Sequence, residues 1–135
     1  MRDILQIELL GTVAYRGRRK TVSGTGMIPG EFIDYESVTW RRGVADMVDT
    51  VRIKHVSGKT SLLGFKSYQQ GRKSFQGTAQ DIIHLDEEPP QDVHTESLTR
   101  LATTKGCQIL TFTPLNGLTE VAMSFMPQEM RPSEV

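Results

Sequence analysis

The chain has 135 residues, a formal net charge of zero (16 Lys+Arg against 16 Asp+Glu) and a single cysteine, Cys107. That length suits one domain with a real core, and the neutral balance gives no chain-wide field that would advertise nucleic acid. One cysteine excludes an internal disulfide framework and fits a reducing compartment. No apolar run reaches membrane-spanning length and no secretory signal opens the chain, so a soluble cytoplasmic protein is the expectation.

In chain order, residues 3–10 (DILQIELL) predict a short helix ended by Gly11. Residues 15–26 (YRGRRKTVSGTG), rich in glycine and base, predict a mobile loop whose cluster Arg16, Arg18, Arg19 and Lys20 is solvated rather than bound to DNA phosphate. Ile28-Pro29-Gly30 is a breaker, and residues 31–42 (EFIDYESVTWRR) predict one helical turn followed by a short strand around Val38–Trp40.

A hairpin is expected over residues 49–56 and 60–67. Its turn contains Gly58-Lys59-Thr60-Ser61, which matches the tail of the nucleotide-binding pattern G-x-x-x-x-G-K-[ST]. The first glycine of that pattern falls on Ile53, and no helical apolar spacing follows. Val51, Ile53 and His55 alternate with Arg52, Lys54 and Val56 in a strand period, so Ser57-Gly58 is read as a hairpin turn and His55 as a histidine on an apolar strand face. Trp40, Phe65 and Phe75 are assigned to the core, and residues 69–79 (QQGRKSFQGTA) to a connector with a helical turn.

The second half carries clearer periodicity. Asp81 to Leu85 reads as a buried strand, and Pro89-Pro90 delays the next helix. From Asp92, taken as its cap, a helix places Val93, Ser97, Leu98 and Leu101 on one face and pairs Glu96 with Arg100 at i,i+4. Gly106 ends it. Gln108 to Phe112 is a second strand, stopped by Thr113-Pro114, and a last helix is expected within residues 119–126. Strand, helix, strand over about thirty residues is the pattern of a parallel sheet.

The chemistry concentrates in DIIHLDEEPP, residues 81–90. A parallel strand delivers Asp86 and Glu87 to its carboxyl end, where open α/β sheets place ligands. One carboxylate of such a pair suits Mg²⁺, held largely through water. The other, facing away along the strand, suits activation of a water molecule. A hydroxyl from Thr111 or Thr113, at the end of the neighbouring strand, is positioned to sense a phosphate.

These segments match a family. DIIHLDEEPP, the helix with Thr95-Glu96-Ser97-Leu98-Thr99-Arg100, and LTFTPLNGLTEV resemble the ATPase domain of phage large terminase subunits, the motors that pump DNA into procapsids. MRDILQIELLG, TVSGTGMIPG and VRIKHVSGKTSLLGFKSYQQGRKSFQG extend the resemblance upstream, over nearly the whole chain. It implies an α/β fold, a partial RecA-like P-loop NTPase parallel sheet with an inserted β-hairpin. Residues 1–135 would be one partial ATPase domain, with the Walker B strand through the coupling motif in 81–120. It also implies that Asp86 is the Walker B magnesium carboxylate, Glu87 the catalytic glutamate and Thr113 part of the coupling motif. His84 departs from an all-apolar Walker B strand and is not counted as a ligand. Similar positions in ring ATPases supply an arginine finger to a neighbouring subunit, which makes Arg72, beside Lys73, a candidate for one; the plainer reading of both is a solvated connector.

ATP and Mg²⁺ are the implied cofactors. The implied partners are duplex DNA, the portal, a small terminase subunit and further copies of the chain, in the host cytoplasm and not at a membrane. The resemblance also implies a Walker A segment upstream and an RNase H-like nuclease domain downstream. On that basis the chain is expected to be an internal piece, from a split gene or a decayed prophage copy, and inactive alone. Two alternatives stand beside this reading. One is a non-enzymatic remnant or docking subunit with an exposed sheet edge. The other is a metal hydrolase built on His84, Asp86 and His94, the first two sharing a strand face.

Overall fold

The computed structural model describes residues 4–131. The chain divides into two compact units, Met1–Phe65 and Lys66–Val135.

In the first unit, helix α1 (Ile4–Leu10) stops where the Gly11 N–H bonds the Ile7 carbonyl at 2.9 Å. The segment expected to be a mobile loop is instead an antiparallel hairpin, β1 (Val13–Arg16) with β2 (Arg19–Val22), turning at Gly17-Arg18. Its inner end is anchored: Thr21 and Val22 are fully buried, and the Thr21 hydroxyl donates to the Tyr35 carbonyl at 3.1 Å. A short 3-10 turn (Gly30–Phe32) leads into β3 (Ile33–Trp40), which pairs with β4 (Val48–Lys54) and then β5 (Thr60–Gly64) in a three-stranded antiparallel sheet of order β3-β4-β5. The expected hairpin is therefore two strands of a three-stranded sheet rather than an insert standing alone.

The turn between β4 and β5 settles the Gly58-Lys59-Thr60 question. Gly58 adopts φ +85°, its N–H bonds the His55 carbonyl at 3.0 Å, and the His55 N–H bonds the Lys59 carbonyl at 2.8 Å. This is a tight turn between antiparallel strands, with no helix after it to receive a phosphate. His55 belongs to that turn, exposed, with Nδ1 2.9 Å from the Ser57 hydroxyl, and not to an apolar strand face.

Leu10, Val22, Ile33, Val48 and Val51 form the core of this unit, with Trp40 and Phe65 packed at its margin as expected. Buried Gln6 clamps α1 to the start of β4, donating to the Asp46 carbonyl at 3.0 Å and accepting the Val48 N–H at 2.8 Å. Nothing in the apolar spacing of residues 3–10 marks that glutamine as interior.

The second unit begins with two 3-10 turns, Tyr68–Gln70 and Arg72–Phe75. Then come β6 (Ile82–Asp86), α2 (Gln91–Leu101), β7 (Cys107–Thr111) and α3 (Glu120–Met123). Strands β6 and β7 pair in parallel, from Ile82 opposite Cys107 to Asp86 opposite Thr111. The strand-helix-strand unit is thus present, but β6 is only half covered. Leu85 is buried, whereas Ile82 is 65% exposed and His84 and Asp86 are exposed with it. Among the described residues this is the only parallel pairing, and the molecule is a mixed α/β structure with three small sheets rather than a visible RecA-like sheet.

Helix α2 buries Val93, Ser97 and Leu101, but Leu98 is exposed, because it lies about 100° around the helix from the centre of that stripe. Pro90, not Asp92, occupies the cap. Asp92 sits in the first turn, accepting the Val93 N–H at 2.9 Å, where a carboxylate favours the helix dipole. After α2, Gly106 passes against Asp81, the residue just before the neighbouring strand β6. A Cβ there would lie 2.2 Å from the Asp81 carbonyl oxygen and 2.8 Å from Leu101 Cδ2. Gly106→Ala is expected to cost about 1–3 kcal/mol by forcing β7 away from β6, read as a lower urea midpoint by far-UV circular dichroism.

Candidate functional site

The parallel register delivers the acids to the carboxyl edge of the sheet. Asp86, the last residue of β6, lies opposite Thr111, the last residue of β7, and the Thr111 hydroxyl donates to Asp86 Oδ1 at 2.9 Å. That hydroxyl also lies 2.8 Å from His84 Nε2. Because its single proton goes to the carboxylate, it accepts from the histidine, which fixes His84 as carrying a proton on Nε2. His84, Asp86 and Thr111 therefore form one chain on the exposed face of the sheet.

The ladder continues one step further. The Glu87 N–H bonds the Thr111 carbonyl at 2.8 Å, and Glu87 takes the left-handed backbone, φ +67°. This outlier sits where the chain leaves the strand, and it turns Glu87 out of the alternating pattern that places Asp86. Thr113 lies two residues past Thr111, exposed, its carbonyl accepting the Leu115 N–H at 2.8 Å. Of the two threonines weighed from sequence, Thr111 is the one that touches Asp86.

Two further contacts carried no periodic signal. The Tyr68 hydroxyl lies 3.0 Å from both the Asp86 and Glu87 carbonyl oxygens and donates between them, bracing the backbone that holds the acids. Burial first, then the charges of Asp86 and Glu87, push its phenol well above the usual tyrosine value. A pKa raised in the fold means that stability is intact below pH 10 and is lost as pH rises above it, because the unfolded chain ionises first. In an absorbance titration at 295 nm, the last tyrosine to ionise is expected to disappear in Tyr68→Phe. The second contact is a hydrogen bond from the Thr119 hydroxyl to Glu88 Oε1 at 2.5 Å. The same hydroxyl caps α3 by accepting the Ala122 N–H at 3.1 Å. A threonine just before an apolar run is a recognisable cap, so Thr119 was open to prediction. Glu88, Pro90, Asn116 and Glu120 border a depression of 450 Å³ that does not include Asp86, Glu87 or Thr111.

Arg72 is paired with a carboxylate of α2. Its Nε bonds Glu96 Oε2 at 3.1 Å, and Arg100 Nε lies 3.3 Å from Glu96 Oε1, the i,i+4 pair expected from sequence. Glu96 is buried on α2, while the Arg72 side chain is 58% exposed. Arg72 is thus tethered at Nε, with its terminal nitrogens uncommitted to that carboxylate. Breaking a buried pair costs 3–5 kcal/mol when the remaining charge stays buried. Arg72 is exposed and can rehydrate, whereas Arg100 is 25% exposed with its Nε buried, so Glu96→Ala is expected to cost about 3 kcal/mol, the low end of that range, in urea unfolding followed by far-UV circular dichroism.

His84 and Asp86 do share a strand face, but His94 is buried on α2, its ring 6.1 Å from that of Phe125. No group of three His, Cys, Asp or Glu residues among the described residues could hold a metal ion. No helix among them is long and apolar enough to cross a membrane.

A strand-helix-strand unit ending in an acidic pair against a threonine-ended strand has a counterpart among known families. Residues 3–135 match the family described as terminase large subunit, T4likevirus-type, N-terminal, and the chain belongs to it. It is similar to the terminase large subunit of Salmonella phage P22, 34% identical over 119 residues that cover 83% of this chain and 23% of that protein. The chain thus spans about a quarter of the length of this curated relative. No solved structure matches it.

Proposed function

We propose that this chain forms part of the ATP-hydrolysing motor of a phage DNA-packaging terminase. The observation that carries the reading is the parallel β6–β7 pairing, which sets Asp86 against Thr111 at the carboxyl edge, with Glu87 next in line. Open α/β sheets use that edge for ligands.

Asp86 suits Mg²⁺. It is an exposed carboxylate with a hydroxyl beside it, a set of hard oxygen donors few enough to leave room for water and phosphate oxygens. When bound, the ion supplies charge neutralisation on the phosphates of ATP. Asp86 holds it, Thr111 fixes the carboxylate rotamer, and Tyr68 fixes the backbone beneath. Glu87 takes a proton from the attacking water. Thr113 lies on the segment that transmits the outcome, and Arg72 reaches a neighbouring subunit's phosphate from its anchor on Glu96. The working partners on this reading are duplex DNA, the portal, a small terminase subunit and further copies of the chain, in the host cytoplasm.

No G-x-x-x-x-G-K-[ST] segment occurs in the 135 residues. Purified alone, the chain is expected to release no phosphate from ATP above a Glu87→Gln control. The deciding experiment uses a large terminase subunit that contains this segment. Asp86→Asn should reduce magnesium-dependent ATP turnover at least a hundredfold, and unchanged turnover would refute the assignment.

A further inference from the structure

We propose that the β1–β2 hairpin is a docking surface for the phosphate backbone of duplex DNA, gripped by Arg16, Arg18 and Arg19. The choice of duplex DNA rests on the packaging reading above, but the surface itself is argued from charge and geometry. The chain's neutrality hides a separation. Residues 1–65 hold ten Lys/Arg and seven Asp/Glu, net +3, whereas residues 66–135 hold six and nine, net −3. Net charge thus favours the first unit over the second as the place where a long polyanion docks.

Within the basic unit, three arginines fall in four positions around one turn, and Arg16 and Arg19 are register partners on the same face. The Arg16 guanidinium lies 3.6 Å over the Tyr35 ring. Stacking uses the flat face of the group and leaves its N–H donors, which lie in the plane, for a phosphate fork. Arg19 commits one N–H, at 3.4 Å, to the Glu36 carbonyl, and Arg18 is exposed at the turn. Lys20 is different. It pairs with Asp46 at 2.6 Å and sits 4.4 Å over Trp40, so it braces the hairpin from behind. A braced strand pair presents these arginines with less ordering cost than the mobile loop predicted from sequence.

The test is fluorescence anisotropy of the 135-residue chain with two labelled 30-base-pair duplexes of different sequence, between 50 and 200 mM salt. Neutralising each phosphate contributes about −0.9 to the log–log salt slope, so R18Q/R19Q should flatten the slope by about two and weaken binding at least tenfold at 50 mM, alike for both sequences. K54Q/K59Q, the same charge change on the β4–β5 hairpin, should stay within twofold. R18Q alone, at an exposed turn, should flatten the slope by about one, and circular dichroism confirms folding of each variant. The proposal is overturned by equal losses in the two double variants, by no duplex binding of the wild type at 50 mM salt, or by hairpin-dependent binding to anionic vesicles without duplex binding. Any of these would leave the Asp86→Asn turnover result untouched, so the two readings fail separately.

Discussion

Glu87→Gln, introduced into a large terminase subunit that contains this segment, is expected to lower ATP turnover by about 10²–10⁴-fold, the contribution of a positioned general base. The substitution is nearly isosteric and retains the left-handed backbone, the N–H bond to the Thr111 carbonyl and the Tyr68 brace beneath it. It removes only the ability to accept a proton. Nucleotide affinity should stay within about threefold, because binding relies on groups other than the base. Measuring kcat for phosphate release alongside nucleotide affinity separates the outcomes. If turnover persists with glutamine at 87, the base is elsewhere. If affinity collapses together with turnover, Glu87 serves binding rather than proton transfer.

Leu10→Ala carries the largest expected structural effect, about 3 kcal/mol within the 2–5 kcal/mol range for buried leucine truncation. Leu10 is fully buried and joins α1 to Val22, Ile33, Val48 and Val51 from three strands. A unit of about 65 residues has little reserve, so a loss of that size removes much of its stability. Trp40 is the chain's single tryptophan and packs at the margin of this core, so its fluorescence in urea reports the first unit alone. Leu62→Ala, at an exposed position on β5, should shift the same curve by less than about 0.5 kcal/mol. Similar midpoints for the two variants would show that the Leu10 cluster is not what holds the unit together.

How much of this was open to reading from residues alone divides by the range of the interactions. The β6-α2-β7 unit was legible because strand and helix periods switch cleanly at Pro89-Pro90 and Gly106, and the β4–β5 hairpin because Val51 and Ile53 alternate with charges up to a glycine turn. The β1–β2 hairpin was not legible. Its strands have four residues each, its outer residues are arginines, and its anchor is a threonine bonded to a carbonyl fourteen residues away. Strand β3 was half seen because its register against β4 shifts between Asp34 and Thr39, which breaks the alternation that would reveal it.

At the site the acids were found by position, but their supports were not. Tyr68 meets them from 18 residues upstream by a side chain to main chain bond, and such bonds leave no spacing in the letters. The expectation of a buried β6 came from its apolar run. That run cannot reveal that one face would stay open, with Ile82 and Ile109 uncovered among the described residues.

On the role proposed for Glu87, its left-handed turn sets two demands against each other at one residue. Glycine or asparagine would sit there with less backbone strain, by about 1 kcal/mol, and neither can do the work of a carboxylate. A screen that rewards only thermal tolerance should therefore enrich small or amide residues at position 87, and a screen that rewards turnover should restore the acid. With the proposed base at position 87, the conformation makes it a place where durability and output are traded.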